Sequence, residues 1–405
     1  MMLSFFPNWE STNRQLRAEN NRSMPWRNEL RQQHDQRKSD SLWRSPHTVN
    51  SPPDREIQVG GRNLLNFCSN NYLSLANHPA LIEAATAAAE KYGTSTSASH
   101  LIAGHNTLHA ELEDNIADFT GAEKAILFST GYMANLAVPD TLLGRQDLLI
   151  QDRLNHASII DGGKITNAKV RRYAHTDVQA AADLLSKSDH HRKLLITDGV
   201  FSMDGDVAPL NDLQSVCQQN NAVMLVDDAH GFGVMGDNGV GSLGAAGLQP
   251  TGNVLLLGTL SKACGSFGAF IAGDAVYIDS LEQHARSYIY TTALPSPVVA
   301  ASIKAIELLQ TESWRRTRLH DNIQYFRRRA HQNKIPLTAS TAPIQPIIIG
   351  DNLATLKLSE QLNQQGFMVV AIRPPTVAVR EARLRITLMT DHTPSDIDRL
   401  VDALM

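Results

Sequence analysis

The amino-acid sequence predicts an α/β fold, in which helices flank a mostly parallel sheet, followed by a smaller α+β domain. Short apolar runs without two-residue alternation recur between about residues 105 and 275, which is typical of strands buried on both faces. Amphipathic or polar stretches separate these runs, and the pattern changes after about residue 300. A chain of 405 residues is also too long for a single core.

Composition and charge exclude several classes of partner. Hydrophobic residues make up 42% of the chain and charged residues 19%, and the formal net charge is −4 at pH 7. Such a chain can bury large cores, but it offers no basic field, so we expect neither nucleic acid nor a membrane as partner. The three cysteines (Cys68, Cys217 and Cys264) are far apart, which fits neither a disulfide framework nor paired metal ligands and indicates a reducing compartment.

The first residues do not resemble a targeting segment. They lack a basic stretch, and Pro7 and Glu10 interrupt their short apolar run, which argues against a signal peptide. No stretch approaches the roughly 18 to 20 apolar residues that a membrane helix needs. We therefore expect a cytoplasmic protein.

Residues 1–60 predict an N-terminal segment rather than a domain. A helix is predicted over Pro25–Lys38, with Trp26 and Leu30 as apolar anchors on another surface, and a Ser/Pro-rich link follows. A hairpin is predicted next, because Ile57–Val59 and Leu64–Phe67 flank a Gly-Gly pair.

The large domain is predicted over residues 61–300. A helix that begins near Thr107 carries apolar residues at helical spacing and ends at Gly121. The apolar runs predicted as strands are Ala125–Phe128, Leu148–Ile150, Leu194–Thr197, Val223–Val226, Val254–Leu257 and Ala269–Ala272.

The smaller domain is predicted over residues 301–405. A helix over Val298–Leu309 leads into a basic helical stretch that ends near Asn333. The elements predicted after it are strand Ile344–Ile349, helix Leu353–Gln365, strand Phe367–Ile372, strand Arg383–Met389 and a last helix with Thr393 as its cap.

The most informative segments follow two of the predicted strands. Val226–His230 and Gly258–Ala263 place polar groups at the carboxyl ends of strands, where α/β sheets hold ligands. Lys262 lies in a loop of small residues, which suits Schiff-base chemistry because desolvation lowers the pKa of an ammonium group. Asp227 could keep a pyridine nitrogen protonated, which makes pyridoxal phosphate (PLP) an electron sink. Either residue alone fits an exposed loop lysine or a capping aspartate, but the pair favours the cofactor.

Two further strand ends offer a phosphate site and a stacking group. Ser129–Asn135 opens a helix whose backbone N–H groups could hold phosphate, although a turn without a ligand fits this segment equally well. Asp152–Ser158 offers His156, whose imidazole could lie flat on an aromatic cofactor, although a lone histidine is more often structural.

Two other patterns are weaker. Gly231–Gly236 matches GxGxxG, but turn-forming residues follow it instead of an amphipathic helix, so a nicotinamide site is not predicted. His105, His109 and Glu113 fall on one helical face. Without an HExxH pattern, a solvated or packed face is favoured over a metal site.

The last strand carries arginines on one face. Arg383, Arg385 and Thr387 alternate with apolar residues, which predicts one polar face and one core face. An arginine fork matches a carboxylate in two contacts, so an amino-acid carboxylate is a natural partner. A solvent-facing salt bridge is the alternative for Arg383.

Taken with these segments, the chain resembles the α-oxoamine synthase family of fold-type I PLP-dependent enzymes. The motifs that carry the resemblance, in the family's order, are Asn66–Leu73, Phe201–Asp206, Asp227–His230, Gly258–Lys262, Tyr290–Pro295 and Arg383–Thr387. The resemblance implies a fold-type I PLP-dependent transferase whose large domain has a seven-stranded, mostly parallel sheet, with a smaller α+β C-terminal domain. It also implies a homodimer whose active site lies at the subunit interface.

The resemblance also implies roles for the residues around the cofactor. Lys262 is implied to bind PLP covalently and to move the Cα proton of the substrate. Asp227 is implied to pair with the pyridinium nitrogen, and His230 to hydrogen-bond the phenolic oxygen. His156 is implied to stack on the ring face, with Ser202 close by.

Phosphate and substrate contacts are implied in the same way. The residues implied to hold the phosphate are Gly131, Tyr132 and Thr259, helped by Thr292 (or Thr291) of a second subunit. Asn70 and Arg385 are implied to hold the substrate carboxylate. Arg44 is the candidate for the acyl substrate, and Thr376 is a further candidate substrate contact.

The substrates follow from a narrower resemblance. Ala371–Val377 is similar to the corresponding segment of family members that condense L-alanine with a pimeloyl thioester, carried on CoA or on acyl carrier protein. A sibling that uses glycine, such as glycine C-acetyltransferase, is the alternative. The ordered motifs disfavour an aminotransferase, and Lys262 disfavours a non-catalytic partner subunit. In one departure, residues 93–100 carry Ser, Thr and Ala where the family has glycines, which leaves the mobility of this loop open.

Overall fold

The structure is a computed structural model that describes residues 25–405. The expectations for residues 1–24, including the absence of a targeting segment, concern a part of the chain outside the described residues. Within them, no helix combines the length and the apolar content that a bilayer crossing requires.

The N-terminal elements match the predicted helix and hairpin. Helix α1 spans Pro25–Ser39, and strands β1 (Glu56–Val59) and β2 (Arg62–Asn66) pair antiparallel. Within the single chain this helix buries no residue and Trp26 is 60% exposed, so its anchoring on another surface stays a prediction. The contact with the rest of the molecule comes after the helix, where Arg373 donates a hydrogen bond to the carbonyl of Trp43 (3.3 Å).

A seven-stranded sheet lies at the centre of the molecule. Its seven strands are β3 (Lys124–Phe128), β4 (Leu148–Asp152), β5 (Lys169–Tyr173), β6 (Lys193–Asp198), β7 (Val223–Asp227), β8 (Val254–Thr259) and β9 (Ala269–Gly273). The order across the sheet is β3-β9-β8-β7-β6-β4-β5, and only β9 runs antiparallel to its neighbours. The predicted seven-stranded, mostly parallel sheet is therefore confirmed.

Helices cover both faces of this sheet. They are α2 (Pro79–Tyr92), α3 (Thr107–Thr120), α4 (Gly131–Leu142), α5 (Ala157–Ile165), α6 (Val178–Ser186), α7 (Leu210–Gln219), α8 (Ser242–Ala245), α9 (Ala275–His284) and α10 (Arg286–Ile289). Neighbouring residues of one strand belong to different cores: Leu256 packs in one hydrophobic cluster, and Leu255 and Leu257 pack in another. The strands are thus buried on both faces, as their unbroken apolar runs predict.

One strand of the sheet was not predicted. Strand β5 lies at the sheet edge and exposes Lys169, Arg171 and Arg172, so its sequence has no apolar run. Exposed charges on an edge strand also discourage pairing with other chains.

The C-terminal part contains the predicted helices and strands. Its elements are α11 (Ser296–Thr311), α12 (Trp314–Gln332), β10 (Ile344–Gly350), α13 (Asn352–Gln364), β11 (Phe367–Met368), β12 (Val370–Ile372), β13 (Ala382–Thr387) and α14 (Pro394–Ala403). Thr393 caps α14 in a reciprocal capping box with Asp396. The three-stranded sheet here has the order β10-β13-β12.

The strand predicted over Phe367–Ile372 serves two sheets. Its first part, β11, pairs in parallel with β2 of the N-terminal hairpin, whereas β12 pairs antiparallel with β13. The hairpin is therefore joined to the C-terminal part of the chain. The boundaries at residues 60 and 300 stay a prediction.

The GxGxxG segment packs around a carboxylate. A Cβ atom on Gly231 would lie 2.1 Å from Oδ1 of the buried Asp228, and one on Gly241 would lie 1.8 Å from its Oδ2. The backbone N–H of Ser242 donates to the same Oδ2 (2.6 Å). The glycines thus leave room for Asp228, and the four-residue α8 follows instead of an amphipathic helix.

We expect Gly241→Ala to lower the free energy of unfolding by at least about 3 kcal/mol, because the new Cβ meets Asp228 and the backbone φ is +112°. Gly247→Ala is the matched control, since φ there is +70° but nothing lies within 4 Å, and it should cost only about 1 kcal/mol. Urea unfolding measures both variants. Equal losses would contradict the packing role of Gly241.

Candidate active site

Polar side chains meet where several parallel strands end. Asp198, Asp227 and Thr259 are the last residues of β6, β7 and β8, and all three are buried. Because carboxyl ends of parallel strands lie at one edge of a sheet, these side chains form one group there.

Lys262 follows β8 and joins this group. Its Nζ lies 3.5 Å from the hydroxyl of Thr259. Desolvation lowers the pKa of the Lys262 ammonium group, while the nearby Asp227 carboxylate opposes this shift. The amine is therefore more available as a nucleophile and base than that of an exposed lysine.

Asp227 is held by two donors. Its Oδ2 accepts a hydrogen bond from Nδ2 of Asn135 (2.6 Å), and its Oδ1 accepts one from the backbone N–H of Ala229 (3.1 Å). The side chain is 4% exposed, so these bonds fix its direction inside the protein. A fixed carboxylate at a strand end suits a cationic ring nitrogen.

His230 is tied to Arg385 through two polar side chains. Nδ1 of His230 lies 2.6 Å from the hydroxyl of Tyr72, which lies 3.2 Å from Oδ1 of Asn70. The same Oδ1 accepts a hydrogen bond from Nη1 of Arg385 (3.1 Å). Burial, with Lys262 and Arg385 nearby, holds the pKa of His230 well below its usual value, so its imidazole is neutral at pH 7.

The arginines of the last strand are buried. Arg385 is 7% exposed and donates from Nε to the carbonyl of Ser202 (2.7 Å), so Ser202, Asn70 and Arg385 come together. Arg383 is 2% exposed and pairs with Asp204 at 2.5 Å. Arg383 thus forms a salt bridge, as the alternative supposed, but its guanidinium is buried, whereas the carboxylates of Asp204 and Glu381 are 30% and 54% exposed.

His156 is the N-cap residue of α5. Its Nδ1 lies 2.7 Å from the hydroxyl of Ser158, and its backbone N–H donates to Oδ2 of Asp198 (2.7 Å). The backbone and one ring nitrogen are thus held, while the side chain itself is exposed and its ring face is available for stacking.

The first turn of α4 fits an anion. Thr130 caps the helix by accepting a hydrogen bond from the N–H of Met133 (3.2 Å). A Cβ atom on Gly131 would lie 2.9 Å from the methyl group of Thr259, so glycine lets the helix start close to β8. Tyr132 follows and hydrogen-bonds Asp161 through its hydroxyl. Free N–H groups at a helix start favour phosphate.

Arg44 and Thr376 form a separate group. Nη2 of Arg44 donates to Oγ1 of Thr376 (3.1 Å) and to the carbonyl of Arg373 (3.1 Å). Among the described residues, the hydrogen bonds of this pair join the two candidates to each other rather than to the Lys262 group.

Thr292 lies outside the Lys262 group and is exposed. It forms a β-bridge with Ser99, and the next residue, Ala293, exchanges hydrogen bonds with Ala98 and Thr96 (both 2.9 Å). The Ser/Thr-rich loop at 93–100 is therefore attached to the segment that follows α10.

The histidine face of α3 is packed in part. His109 is fully buried, and its Nε2 lies 2.9 Å from the carbonyl of Leu294. Burial raises the pKa of Glu113 to about 8, and its Oε1 accepts a hydrogen bond from the N–H of Leu127 (3.0 Å). The favoured interpretation of a packed face is confirmed for His109 and Glu113.

Several site residues were not assigned a role from sequence. They are Tyr72, Asn135, Ser158 and Asp198. The one signal for Asn135 was its spacing, since residues four apart share a helix face and Gly131 opens the same helix.

Comparisons with known proteins show the family to which this chain belongs. Residues 62–404 match the family model "Aminotransferase class I and II". The 8-amino-7-oxononanoate synthase of Saccharophagus degradans is 48% identical over 383 residues, which are 94% of this chain and 96% of that protein.

Two solved structures share the fold. Serine palmitoyltransferase from S. paucimobilis with a bound PLP–myriocin aldimine is 31% identical with a TM-score of 0.85, covering 89% of this chain and 91% of that one. The 8-amino-7-oxononanoate synthase from Francisella tularensis is 30% identical with a TM-score of 0.73, covering 84% of this chain and 96% of that one.

The residues present fit PLP. Lys262 supplies an amine of lowered pKa, and Asp227 supplies a buried carboxylate with both oxygens held by donors. The space that a Cβ on Gly131 would fill lies at a helix start beside Thr259, where a phosphate is favoured. An amine, a carboxylate and an anion site on one sheet edge match the three reactive parts of this cofactor.

We expect Tyr72→Phe to lower kcat/KM for the amino-acid substrate by about 10- to 100-fold, because the hydroxyl that contacts His230 and Asn70 is lost from a buried network. Tyr173→Phe is the control. The Tyr173 hydroxyl is also buried, but it belongs to the edge strand β5 and is not part of the bonds that join His230 to Arg385. Steady-state kinetics at pH 7 measure both variants. If kcat/KM of Tyr72→Phe equals that of Tyr173→Phe, the Tyr72 hydroxyl does not act through His230 and Asn70.

Proposed function

Because the chain belongs to the 8-amino-7-oxononanoate synthase family of PLP-dependent acyltransferases, we propose that it condenses L-alanine with a pimeloyl thioester. The products are 8-amino-7-oxononanoate, CO2 and the free thiol, in biotin synthesis. The observation that carries the proposal is one cluster of buried polar side chains. In it Lys262 lies near Asp227, and His230 is linked to Arg385 through Tyr72 and Asn70.

The chemistry divides between the cofactor and the chain. Bound PLP withdraws electrons and so stabilises negative charge at the substrate Cα. The amine of Lys262 removes and returns the Cα proton, which its lowered pKa favours. Asp227 pairs with the ring nitrogen through its fixed carboxylate, and His230 meets the phenolic oxygen.

Arg385 and Asn70 bind the carboxylate of alanine. The planar guanidinium of Arg385 is oriented by the carbonyl of Ser202 and by Oδ1 of Asn70. Since Oδ1 of Asn70 accepts from Arg385, its Nδ2 group is the donor that faces a substrate oxygen. Both donors therefore act on the same carboxylate.

Arg44 and Thr376 lie on the acyl side of the site in this proposal. Three acceptors hold the guanidinium of Arg44: the carbonyls of Arg373 and Pro374, and the hydroxyl of Thr376. A cation held in this way offers a fixed position for an anionic group of the acyl donor, either CoA or acyl carrier protein.

A homodimer completes the site. Ile102 is 81% exposed and Tyr290 is 72% exposed, and the bridge between Ser99 and Thr292 brings their segments together. Large exposed apolar side chains in one region mark a contact surface, which a second copy would cover. Thr292 of one copy then reaches the phosphate held by Gly131 of the other.

We expect Lys262→Ala to lower the rate of thiol release by about 10²- to 10⁴-fold, because both the covalent anchor of the cofactor and the base are lost. The protein loaded with PLP is offered alanine with pimeloyl-CoA, and separately glycine with acetyl-CoA, while free thiol is followed with a chromogenic reagent. Wild type should react with the first pair. Lys187→Ala is the control, because Lys187 is exposed and its ammonium group pairs with Asp183 (2.7 Å). Release with the glycine pair alone, or full activity of Lys262→Ala, would refute the assignment.

We expect Arg385→Lys to raise KM for alanine by at least about 10-fold, because lysine keeps the charge but loses the planar fork. KM for the pimeloyl thioester should change less than threefold. Arg399→Lys, on α14 with its guanidinium over the ring of Phe367, is the matched control. An unchanged KM for alanine in Arg385→Lys would exclude a role in carboxylate binding.

A further inference from the structure

A chain of hydrogen bonds joins the exposed His156 to the buried Asp227. Nδ1 of His156 lies 2.7 Å from Oγ of Ser158, and Nδ2 of Asn135 lies 2.9 Å from the same oxygen. Nδ2 of Asn135 also lies 2.6 Å from Oδ2 of Asp227. Asn135 is on α4, Ser158 is in the first turn of α5, and Asp227 ends β7, so three elements meet here.

The directions of these bonds follow from the donors available. An amide nitrogen has two hydrogens, so Nδ2 of Asn135 donates both to Asp227 and to Ser158. The hydroxyl hydrogen of Ser158 is then free to go to Nδ1 of His156. The opposite orientation of the amide would place Oδ1 of Asn135 2.6 Å from a carboxylate oxygen, where two acceptors repel.

We propose that Asn135 is a positioning residue that orients the Asp227 carboxylate and, through the Ser158 hydroxyl, reinforces the tautomer of His156 that the backbone N–H of Ser158 (3.3 Å from Nδ1) also favours. The proton of the neutral His156 ring is then on Nε2. The Asn135 amide thus couples Asp227, at the ring nitrogen of the cofactor, to His156, at the face of its ring. This inference rests on the proposed roles of Asp227 and His156.

Burial makes this arrangement rigid. Asn135, Ser158 and Asp227 are 1%, 1% and 4% exposed. Within residues 25–405, Oδ1 of Asn135 has no hydrogen-bond partner, and such an orphaned acceptor is costly. The cost is tolerated because turning the amide would break two bonds and oppose a carboxylate.

The helix packing fixes where the amide lies. A Cβ atom on Gly162 of α5 would lie 2.6 Å from the backbone carbonyl of Asn135, so α4 and α5 approach closely at this point. Asn135 also follows Gly131 by four residues, which places both on one face of α4. The helix that offers its start to the phosphate therefore also holds the acid at the ring nitrogen.

The first test uses Asn135→Ala and Asn135→Asp. The apoenzymes are titrated with PLP between pH 6 and 9, with protein fluorescence reporting Kd and absorbance reporting the state of the bound cofactor. Asn135→Ala should weaken PLP binding by about 10- to 100-fold at every pH, because a buried carboxylate loses its donor.

Asn135→Asp separates positioning from packing because it has nearly the same shape. At low pH the new carboxyl group carries a proton that it can donate to Asp227, so binding should be close to that of wild type. As pH rises and both groups ionise, the two carboxylates repel and PLP affinity should fall by at least tenfold. Equal affinity at pH 6 and pH 9 in this variant would overturn the proposal.

Ser158→Ala tests the link to His156. Ser158→Ala and Asn135→Ala should each shift the pH midpoint of the cofactor's absorbance band. The double variant should shift it by less than the sum of the single shifts, because both variants break the same chain. Additive shifts would show that Asn135 does not act through Ser158.

Asn253→Ala is the matched control. Asn253 likewise donates from its Nδ2, in this case to one acceptor, the carbonyl of Ala222 (2.9 Å). It precedes β8 and so lies at the opposite end of the sheet. This variant should leave Kd for PLP and the absorbance midpoint unchanged. A wild-type protein that does not bind PLP would refute the proposed function, whereas normal binding by wild type and by Asn135→Ala would refute only the role of Asn135.

Discussion

The rest of the site depends on the burial of the Asp227 carboxylate. A charge inside a protein is costly unless hydrogen-bond donors and an opposite charge compensate it. Asn135 and the N–H of Ala229 provide the donors, and the nearby Lys262 favours the carboxylate whenever its amine carries a proton. Each of these groups must therefore lie at the carboxyl edge of the sheet. The loop after β8 and the start of α4 are placed accordingly.

A second buried charge joins the C-terminal part to this edge. Arg385 and Arg383 lie on β13, yet their acceptors, Ser202 and Asp204, lie in the loop after β6. Because a buried guanidinium cannot be left without acceptors, the C-terminal sheet is held against the large one. The pairing of β11 with β2 adds a backbone connection between distant parts of the chain. Arg385 is thus fixed by the fold rather than by a mobile loop.

Elements with a strong local pattern were predicted well, and contacts between distant residues were not. The buried strands and the capped helix α14 follow from apolar runs and from Thr393 with its reciprocal partner. Strand β5 has no such pattern because its exposed side chains are charged, and the division of residues 367–372 depends on two partner strands.

The site residues divide in the same way. Lys262 and Asp227 could be predicted because they follow strands. The hydrogen bond between Arg44 and Thr376 crosses 332 residues of sequence, and a local pattern does not contain it. The role of Tyr72 likewise depends on His230, 158 residues away.

The Ser/Thr-rich loop shows how a departure from the family pattern acts. Glycines would leave this segment free to change its backbone, but here the hydroxyl of Thr96 donates to the carbonyl of Ala293. Ser99 pairs with Thr292, and the adjacent Ile102 is exposed. A loop attached in this way presents its apolar side chains and Thr292 as one surface. The second copy proposed above would cover this surface, so the loop and Thr292 would lie together at the subunit interface.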